Sequence, residues 1–153
     1  MNKDGTVLII DDDAEDLLFL EEILSSIIEE NGFKNDIITY SDPVAAYEYL
    51  MDMNDAPFLI ISDINMPKID GIALRKKIIQ ESRQNISCSP FIFLSTAAGD
   101  QNIIERAYNL SIQGFFTKSN NFEEYNALLE RIIFYWKASN LPPQRYFYSQ
   151  NSA

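Results

Sequence analysis

Histidine is absent from the 153-residue sequence, and cysteine occurs once, at Cys88. These absences exclude zinc sites built from cysteine and histidine, serine–histidine catalysis and any intramolecular disulfide bond. Basic residues are also scarce, because 12 lysines and arginines stand against 23 aspartates and glutamates and leave a formal net charge of −11. Such a surface repels a phosphate backbone, so the composition argues against nucleic acid as a partner.

Long apolar runs are missing as well. The run at residues 7–10 has four apolar residues and is followed by three aspartates, which is not the pattern of a signal peptide. No stretch approaches the roughly 20 apolar residues that span a membrane. We therefore expect a cytoplasmic protein without membrane association, in which Cys88 is an inert residue of the core.

Short apolar runs alternate with longer amphipathic stretches, a pattern typical of an α/β domain. The runs predict strands at residues 7–10, 37–40, 58–61, 91–94 and 114–117. The amphipathic stretches predict helices at 14–31, 43–50, 72–80, 101–110 and 121–136, with a polar loop at 81–89. Since each parallel crossover needs a helix, five β–α units in succession predict a parallel sheet with helices on both faces. We expect one domain at residues 5–140, a C-terminal tail at 141–153 and no output domain.

Capping residues mark the ends of two of these helices. Asp13 is the expected N-cap of the first helix, and Asn31 with Gly32 forms its stop signal. At the last helix, Asn121 and Glu124 have the spacing of a capping box. The apolar stripe predicted for that helix comprises Phe122, Tyr125, Leu128, Leu129, Ile132, Ile133 and Trp136.

Polar side chains follow four of the predicted strands. They are Asp11, Asp12 and Asp13 after the first strand, Asp63 after the third, Ser95 and Thr96 after the fourth, and Lys118 after the fifth. The carboxyl ends of parallel strands meet at one edge of the sheet, where ligands bind. Clustered carboxylates repel one another unless a cation is present, and Mg²⁺ prefers oxygen ligands. A lysine and a hydroxyl can bind phosphoryl oxygens, and a carboxylate can itself be phosphorylated. The set therefore indicates phosphoryl transfer to a carboxylate with Mg²⁺ as cofactor.

Each feature alone also has a structural explanation. Three acids before a helix often serve as caps and partners of the helix dipole. Asp63, which is followed by Asn65, Pro67 and Gly71, can belong to an ordinary turn. A lone lysine at a strand end is usually solvated. The functional interpretation depends on the joint occurrence of these residues at the ends of the correct strands.

Four segments of the sequence resemble the signature segments of response-regulator receiver domains, the CheY-like superfamily. They are VLIIDDD at 7–13, ISDINMPKIDG at 61–71, FIFLST at 91–96 and FFTK at 115–118. The resemblance covers residues 5 to 138 and implies a flavodoxin-like (βα)5 fold, doubly wound, with a five-stranded parallel sheet in the order 2-1-3-4-5. It also implies a two-component signalling protein that a sensor histidine kinase phosphorylates in the presence of Mg²⁺.

The resemblance implies a role for each matching residue of the site. Asp63 matches the phosphoacceptor and Lys118 the phosphoryl-binding lysine. Asp12 matches the direct metal ligand, Asp11 its neighbour that acts through water, and Asn65 the residue whose backbone carbonyl completes the metal shell together with Asp63. Asp13 matches no ligand position, and we expect it to cap the helix.

The remaining implied roles concern the switch and the phosphoryl lifetime. Ser95 matches the switch hydroxyl and Phe115 the rotating aromatic of the output face. The side chains of Asn65 and Ala97 fall where the family tunes the dephosphorylation rate. At most, such a protein phosphorylates itself slowly from small donors and dephosphorylates itself.

Two departures from the common pattern point to a subgroup. Most receiver domains have a cis proline after the lysine, where this chain has Ser119, and a tyrosine where it has Phe115. A cis bond to a residue other than proline costs about 2.5–4 kcal/mol, which leaves the geometry after Lys118 open. Both departures are similar to the small regulators paired with bacterial phytochromes, as are Trp136 and the Leu-Pro pair at 141–142.

Two other functions compete with the signalling switch. A Mg²⁺-dependent phosphatase would use Asp11 as nucleophile and Asp13 as general acid, but Glu15 stands where such enzymes have a threonine, and a cap insertion is lacking. A receiver-like module that is never phosphorylated has no physical need to keep clustered like charges. We therefore expect a switch whose output is another protein, or a relay to a phosphotransfer domain.

The late part of the chain is rich in aromatic residues, which suggests an interface. One helix buries one stripe, so Phe134 or Tyr135 is expected to point away from the sheet. Either the tail after Pro142 covers these side chains, or the fourth helix, fifth strand and last helix form a homodimer or docking surface.

Overall fold

The computed structural model of the chain describes residues 2–81, 86–96 and 100–141. Within these residues the strands are β1 (Val7–Ile10), β2 (Ile37–Tyr40), β3 (Leu59–Ser62), β4 (Phe91–Ser95) and β5 (Gly114–Thr117). The α-helices are α1 (Ala14–Glu30), α2 (Pro43–Asp52), α3 (Gly71–Glu81), α4 (Gln101–Tyr108) and α5 (Phe122–Ala138), and a 3₁₀ turn covers Ile86–Cys88. None of the helices in these ranges is long and apolar enough to cross a membrane.

The strands form one parallel sheet in the order β2-β1-β3-β4-β5, which confirms the predicted doubly wound, flavodoxin-like topology. Alternate residues of the buried strands feed two cores. Val7 and Ile9 of β1 pack under α1 and α5, whereas Leu8 and Ile10 pack under α2, α3 and α4. Apolar side chains on both faces of β1, β3 and β4 are what helices on both faces of the sheet require.

The predicted boundaries differ from the observed ones by one or two residues. β3 begins and ends one residue later than predicted, because Ser62 extends the ladder opposite Ile10. β4 likewise includes Ser95, which pairs with Thr117. α2 runs two residues beyond the predicted end and α4 stops two residues before it. Residues 82–85 of the predicted polar loop lie outside the described residues.

The expected helix caps are confirmed, with one change of partner. The Asp13 side chain accepts hydrogen bonds from the backbone N–H groups of Glu15 and Asp16, and the Asn121 side chain accepts one from Glu124. The reciprocal bond of a capping box comes from Ser119 instead, because its hydroxyl accepts from the Asn121 N–H and bonds to the Glu124 carboxylate. Ser119 thus has a local role in starting α5.

The predicted apolar stripe of α5 is wrong at its first residue. Tyr125, Leu129, Ile132 and Ile133 are buried against the sheet, but Phe122 is 56% exposed. It lies in the first turn of α5, where its ring meets the Phe19 ring of α1 with a centroid distance of 6.3 Å.

The aromatic residues expected to point away from the sheet do so. Phe134 and Tyr135 are both exposed, and Phe134 packs edge-on against Phe33.

A buried arginine on α3 is a feature that the sequence did not reveal. Arg75 is 1% exposed, and its guanidinium donates hydrogen bonds to the carbonyl oxygens of Leu110 and Ser111, just past the end of α4. The guanidinium carbon also lies 5.0 Å from the centre of the Phe91 ring. Arg75 therefore ties α3 to the turn that leads into β5, where Ser111 adopts a left-handed φ of 57°.

The end of α5 is tied to the beginning of the chain. The Lys137 ammonium donates to the carbonyl oxygen of Lys3 at 2.7 Å and pairs with Asp4 at 3.6 Å. The Asn35 amide donates to the carbonyls of Lys3 and Gly5. These bonds lie at the amino ends of the strands, the opposite end from the strand-end aspartates.

Candidate functional site

Four of the predicted site residues meet at the carboxyl edge of the sheet. The Lys118 ammonium lies 2.6 Å from an Asp11 carboxylate oxygen and 3.3 Å from Oδ2 of Asp63. Asp11 and Asp63 are buried, and Asp12 beside them is exposed. One carboxylate oxygen from each of these three aspartates lies within 4.8 Å of the others.

Backbone hydrogen bonds at the strand ends hold these side chains in place. The Asp63 N–H donates to the carbonyl of Ile10, the last residue of β1, at 2.9 Å. Lys118 N–H donates to the carbonyl of Ser95, the last residue of β4, at 3.1 Å. The parallel ladder therefore continues past the strands for one residue and brings Asp63 beside Asp11 and Lys118 beside both.

The three consecutive aspartates have different surroundings. One oxygen of Asp11 accepts from the Asp13 N–H at 3.0 Å, and the other faces Lys118. Asp13 turns away from the site to cap α1, as expected. Asp12 projects from the edge into solvent next to Asp63. The three aspartates therefore have three different positions: Asp11 is a buried site residue, Asp12 an exposed site residue and Asp13 a helix cap.

Burial and charge shift the pKa values at the site in opposing ways. Burial raises the pKa of Asp11, although the hydrogen bonds from Lys118 and from the Asp13 N–H oppose this shift. Burial alone would lower the pKa of Lys118, but hydrogen bonds and charges from Asp11, Asp16 and Asp63 outweigh it and raise that pKa. The raised pKa of Lys118 keeps its ammonium charged at neutral pH.

The donor chemistry of the site fits a divalent cation. Asp11, Asp12 and Asp63 offer three carboxylate oxygens, which are the ligands that hard cations such as Mg²⁺ take. A further positive charge would also relieve the repulsion that a single lysine leaves among these acids. Asn65, whose carbonyl was predicted to complete the shell, is exposed two residues beyond Asp63.

An open cleft of about 650 Å³ adjoins Lys118. It is lined by Glu15, Asp16, Phe19, Thr96, Lys118, Ser119 and Asn120. Ser95 is buried at the end of β4, whereas Thr96 after it is exposed.

All peptide bonds in the described ranges are trans, including the bond between Lys118 and Ser119.

Sequence reasoning missed Asp16, the third carboxylate on Lys118. Its Oδ2 lies 3.0 Å from the Lys118 ammonium. Asp16 stands on the first turn of α1, four residues after Asp12. A residue in the first turn of a helix that starts at the sheet edge lies near that edge, and this was the sequence signal for Asp16. The prediction considered only residues at strand ends and therefore did not include it.

The predicted switch and rate-tuning residues are only partly described. Phe115 is half-buried on β5, and its ring lies 6.0 Å from the Phe93 ring between centroids. Ala97, predicted with Asn65 to tune the phosphoryl lifetime, lies outside the described residues.

The sheet is flavodoxin-like, and its carboxyl edge presents an acid cluster that could hold a metal ion, a lysine and a hydroxyl. These features together are typical of α/β proteins that accept a phosphoryl group. The chain belongs to the response regulator receiver domain family, whose family model matches residues 7–130. This is a family of two-component, phosphorylation-based signalling proteins, and receiver domains are phosphorylated by histidine kinases.

Two curated relatives match nearly the whole chain. The response regulator Rcp1 of Synechocystis sp. is 25% identical over 142 residues, which cover 88% of this chain and 90% of the relative. A probable chemotaxis protein CheY of Rhizobium etli is 32% identical over 128 residues, which cover 83% of this chain and 91% of the relative.

Solved structures share the fold. The phosphorylated cyanobacterial phytochrome response regulator RcpA superimposes with a TM-score of 0.78 at 23% identity, covering 91% of this chain and 99% of that one. The Mn²⁺-bound form of Rcp1 gives 0.75 at 23% identity, with coverages of 91% and 99%. The receiver domain of the sensor kinase PA1611 from Pseudomonas aeruginosa PAO1, with Mg²⁺ in its active site cleft, gives 0.68 at 20% identity, with coverages of 88% and 98%.

Proposed function

We propose that this protein is a phosphorylation switch in which Asp63 accepts a phosphoryl group from a phosphohistidine of a sensor histidine kinase. The observation that carries the proposal is the position of Asp63, whose Oδ2 faces the Lys118 ammonium at 3.3 Å beside two further acids. The other oxygen of Asp63 accepts the Ile64 N–H at 2.8 Å, which fixes the carboxylate plane. Oδ2 is therefore the nucleophile.

In the transfer, Oδ2 of Asp63 forms a bond to phosphorus while the bond from phosphorus to the donor imidazole nitrogen breaks. The electron pair of that bond stays on the imidazole. Lys118 stabilises the negative charge on the phosphoryl oxygens, because its ammonium already faces the attacking oxygen. The product is an acyl phosphate on Asp63, whose hydrolysis by water returns the carboxylate.

The proposed cofactor is Mg²⁺, which neutralises phosphoryl charge when bound. Asp12 and Asp63 would bind it directly, Asp11 would act through water, and the Asn65 carbonyl would complete the protein's share of the shell. This division agrees with the surroundings of the acids, since both oxygens of Asp11 have partners and Asp12 is exposed. The oxygen donors and the Mn²⁺- and Mg²⁺-bound structures of other receiver domains support a divalent cation.

The proposed response follows from the new charge at Asp63. A phosphoryl group adds about −1.5 to −2 charge at neutral pH, and the Ser95 hydroxyl would turn toward it. Phe115 on β5 would then change its packing against Phe93 and alter the face formed by α4, β5 and α5. Asn65 and Ala97 would tune the hydrolysis rate. Slow self-phosphorylation from small donors and self-dephosphorylation belong to the same proposal.

The proposed partners follow from the resemblance and the exposed aromatics. Similarity to Rcp1 and RcpA favours a phytochrome-type sensor kinase in the cytoplasm, and a downstream protein or phosphotransfer domain as the receiver of the signal.

An apolar groove of about 520 Å³ lies between β5 and α5, and Phe116, Leu128, Tyr135 and Trp136 are among its lining residues. We propose this face for a homodimer or a docking partner.

The structure argues against the phosphatase alternative. That reaction needs Asp13 as a general acid, but the Asp13 carboxylate accepts two backbone N–H groups of α1, and among the described residues the carboxylates paired with Lys118 are Asp11, Asp16 and Asp63. The N-terminus of a helix favours the charged form of a capping carboxylate, which disfavours the protonated Asp13 that this role requires.

The proposed function is tested by incubation with acetyl phosphate and Mg²⁺, followed by a phosphate-affinity gel. We expect a single shifted band from the wild type and from Asp70→Asn, a matched change in an exposed acid of the same loop. Asp63→Asn should give no shifted band. A shifted band that persists undiminished in Asp63→Asn would show that another residue accepts the phosphoryl group. The absence of a shifted band in the wild type would favour a receiver-like module that is never phosphorylated.

A further inference from the structure

The Lys118 ammonium has three N–H donors, and three carboxylates surround it. Asp11 and Asp63, at 2.6 and 3.3 Å, belong to the site already described. The third carboxylate, Asp16 at 3.0 Å, stands on α1 and lies outside the four signature segments. The ammonium is therefore already paired with three carboxylates, and two of them, Asp11 and Asp16, are not the residue proposed to carry the phosphoryl group.

We propose that Asp16 is a competing counter-ion that weakens the hold of Lys118 on a phosphoryl group at Asp63. This inference rests on the proposed function of Asp63 and adds a residue that acts through Lys118 and touches no reacting atom. Asp16 thereby sets how readily the site accepts and keeps a phosphoryl group.

Two routes lead to the same direction of effect. If Lys118 leaves Asp16 to bind the phosphoryl oxygens, the cost of breaking that ion pair weakens phosphoryl binding. If Lys118 keeps Asp16, the carboxylate and the phosphoryl group share one ammonium and repel each other across it. Asp16 opposes phosphoryl binding in either case.

Asp16 is not needed to place Lys118. The lysine side chain is only 11% exposed and has its shortest contact with the buried Asp11, while the Asp16 side chain is 47% exposed. Removing Asp16 therefore leaves Lys118 held by Asp11, Asp63 and its packing. For this reason the loss of competition outweighs any loss of positioning.

Glu15 provides a matched control. It lies in the same helical turn, is exposed and lines the same cleft, yet among the described residues its carboxylate makes no ion pair with Lys118. A change of Glu15 to glutamine removes the same charge at nearly the same place. Comparison of the two variants separates the direct ion pair from the general field of the acidic surface.

The test measures the affinity for beryllofluoride in saturating Mg²⁺ by calorimetry, on wild type, Asp16→Asn, Asp16→Glu and Glu15→Gln. We expect Asp16→Asn to bind about three- to tenfold tighter than wild type, since one unit charge at this range in a half-exposed site has an effect of that order. Asp16→Glu should stay near wild type and Glu15→Gln within about twofold. The gain should shrink in 1 M NaCl, because salt screens half-exposed charges.

Acetyl phosphate labelling under the same conditions separates the failure of this inference from failure of the proposed function. If Asp16→Asn binds beryllofluoride no better than Glu15→Gln while the wild type is labelled at Asp63, the inference about Asp16 is wrong and the phosphoacceptor stands. Weaker binding by Asp16→Asn would also overturn it, since that result assigns Asp16 to positioning. If the wild type takes neither ligand nor label, the proposed function itself has failed.

Discussion

Gly71 lies so close to Asp63 that a β-carbon on the glycine would stand 2.3 Å from the Asp63 carbonyl oxygen. The same β-carbon would lie 2.7 Å from the Phe93 ring and 2.9 Å from Cα of Ile64. The Gly71 N–H also donates to the Ile64 carbonyl at 2.7 Å. The absence of a side chain at the start of α3 therefore allows Gly71 to pack directly on the backbone of Asp63 and Ile64.

Gly71→Ala is accordingly expected to lower the free energy of unfolding by about 1–3 kcal/mol and to slow phosphorylation, because backbone atoms on the Asp63 loop must move. Gly32→Ala is the control, since its left-handed φ of 66° costs stability but, apart from its chain neighbours, no atom of the described residues lies within 4 Å of the added carbon. Urea denaturation and acetyl phosphate labelling measure the two effects. Equal labelling rates for both variants would contradict the prediction.

Mg²⁺ binding should depend on Asp12 and not on Asp13. Asp12 faces the site, so Asp12→Ala is expected to weaken Mg²⁺ binding at least about tenfold. Asp13→Ala removes an N-cap and should cost about 1 kcal/mol of stability with little change in Mg²⁺ affinity. Calorimetric titration and thermal unfolding of both variants give the four values. A comparable loss of Mg²⁺ affinity in Asp13→Ala would refute this assignment of the acid run.

The Cys88 thiol should be nearly unreactive in the folded protein. Burial raises its pKa from 9.0 to about 11, which lowers the thiolate fraction at pH 8 by about a hundredfold. Because the folded pKa lies above the unfolded one, this group's contribution to stability is present below pH 9 and is lost as the pH rises toward 11. Ellman's reagent should react slowly with the native protein and rapidly in urea. Equal rates in the two conditions would count against a buried thiol.

Association through the face of α4, β5 and α5 should depend on Tyr135, which is 63% exposed at the end of the apolar groove. We expect Tyr135→Ser to reduce self-association. Leu18 is an apolar residue of α1 with a similar exposure, 57%, and we expect Leu18→Ser to leave self-association unchanged. Sedimentation with and without beryllofluoride and Mg²⁺, on the full chain and on a chain truncated after Leu141, checks this and the role of the tail. A monomer in every sample up to about millimolar concentration, a limit near 4 kcal/mol, would exclude a useful homodimer.

The sequence predicted the topology because the central strands are apolar on both faces and the linking helices are amphipathic. It did not predict the last residue of β3 or β4, because Ser62 and Ser95 are polar and join the ladder only through their neighbours. Periodicity also placed Phe122 in the stripe of α5, although this residue of the first turn is exposed and contacts Phe19 of α1.

The acid cluster and Lys118 were predictable because strand ends in a parallel sheet converge at one edge. Asp16 and Arg75 were not, since each meets its partner through the packing of a helix against a distant turn. The individual roles given to Asp63, Ser95, Phe115 and the rate-tuning positions stay predictions until the variants are measured.

The bond between Lys137 and the Lys3 carbonyl has a practical consequence for probes and fusions. This bond holds the segment before β1 against the end of α5, at the end of the sheet opposite Asp63. A fluorophore attached near either residue would be separated from the reacting edge by the length of the strands. A linker joining these two points would be short, so a circularly permuted chain that is reopened in another exposed loop should keep the arrangement of Asp63 and Lys118.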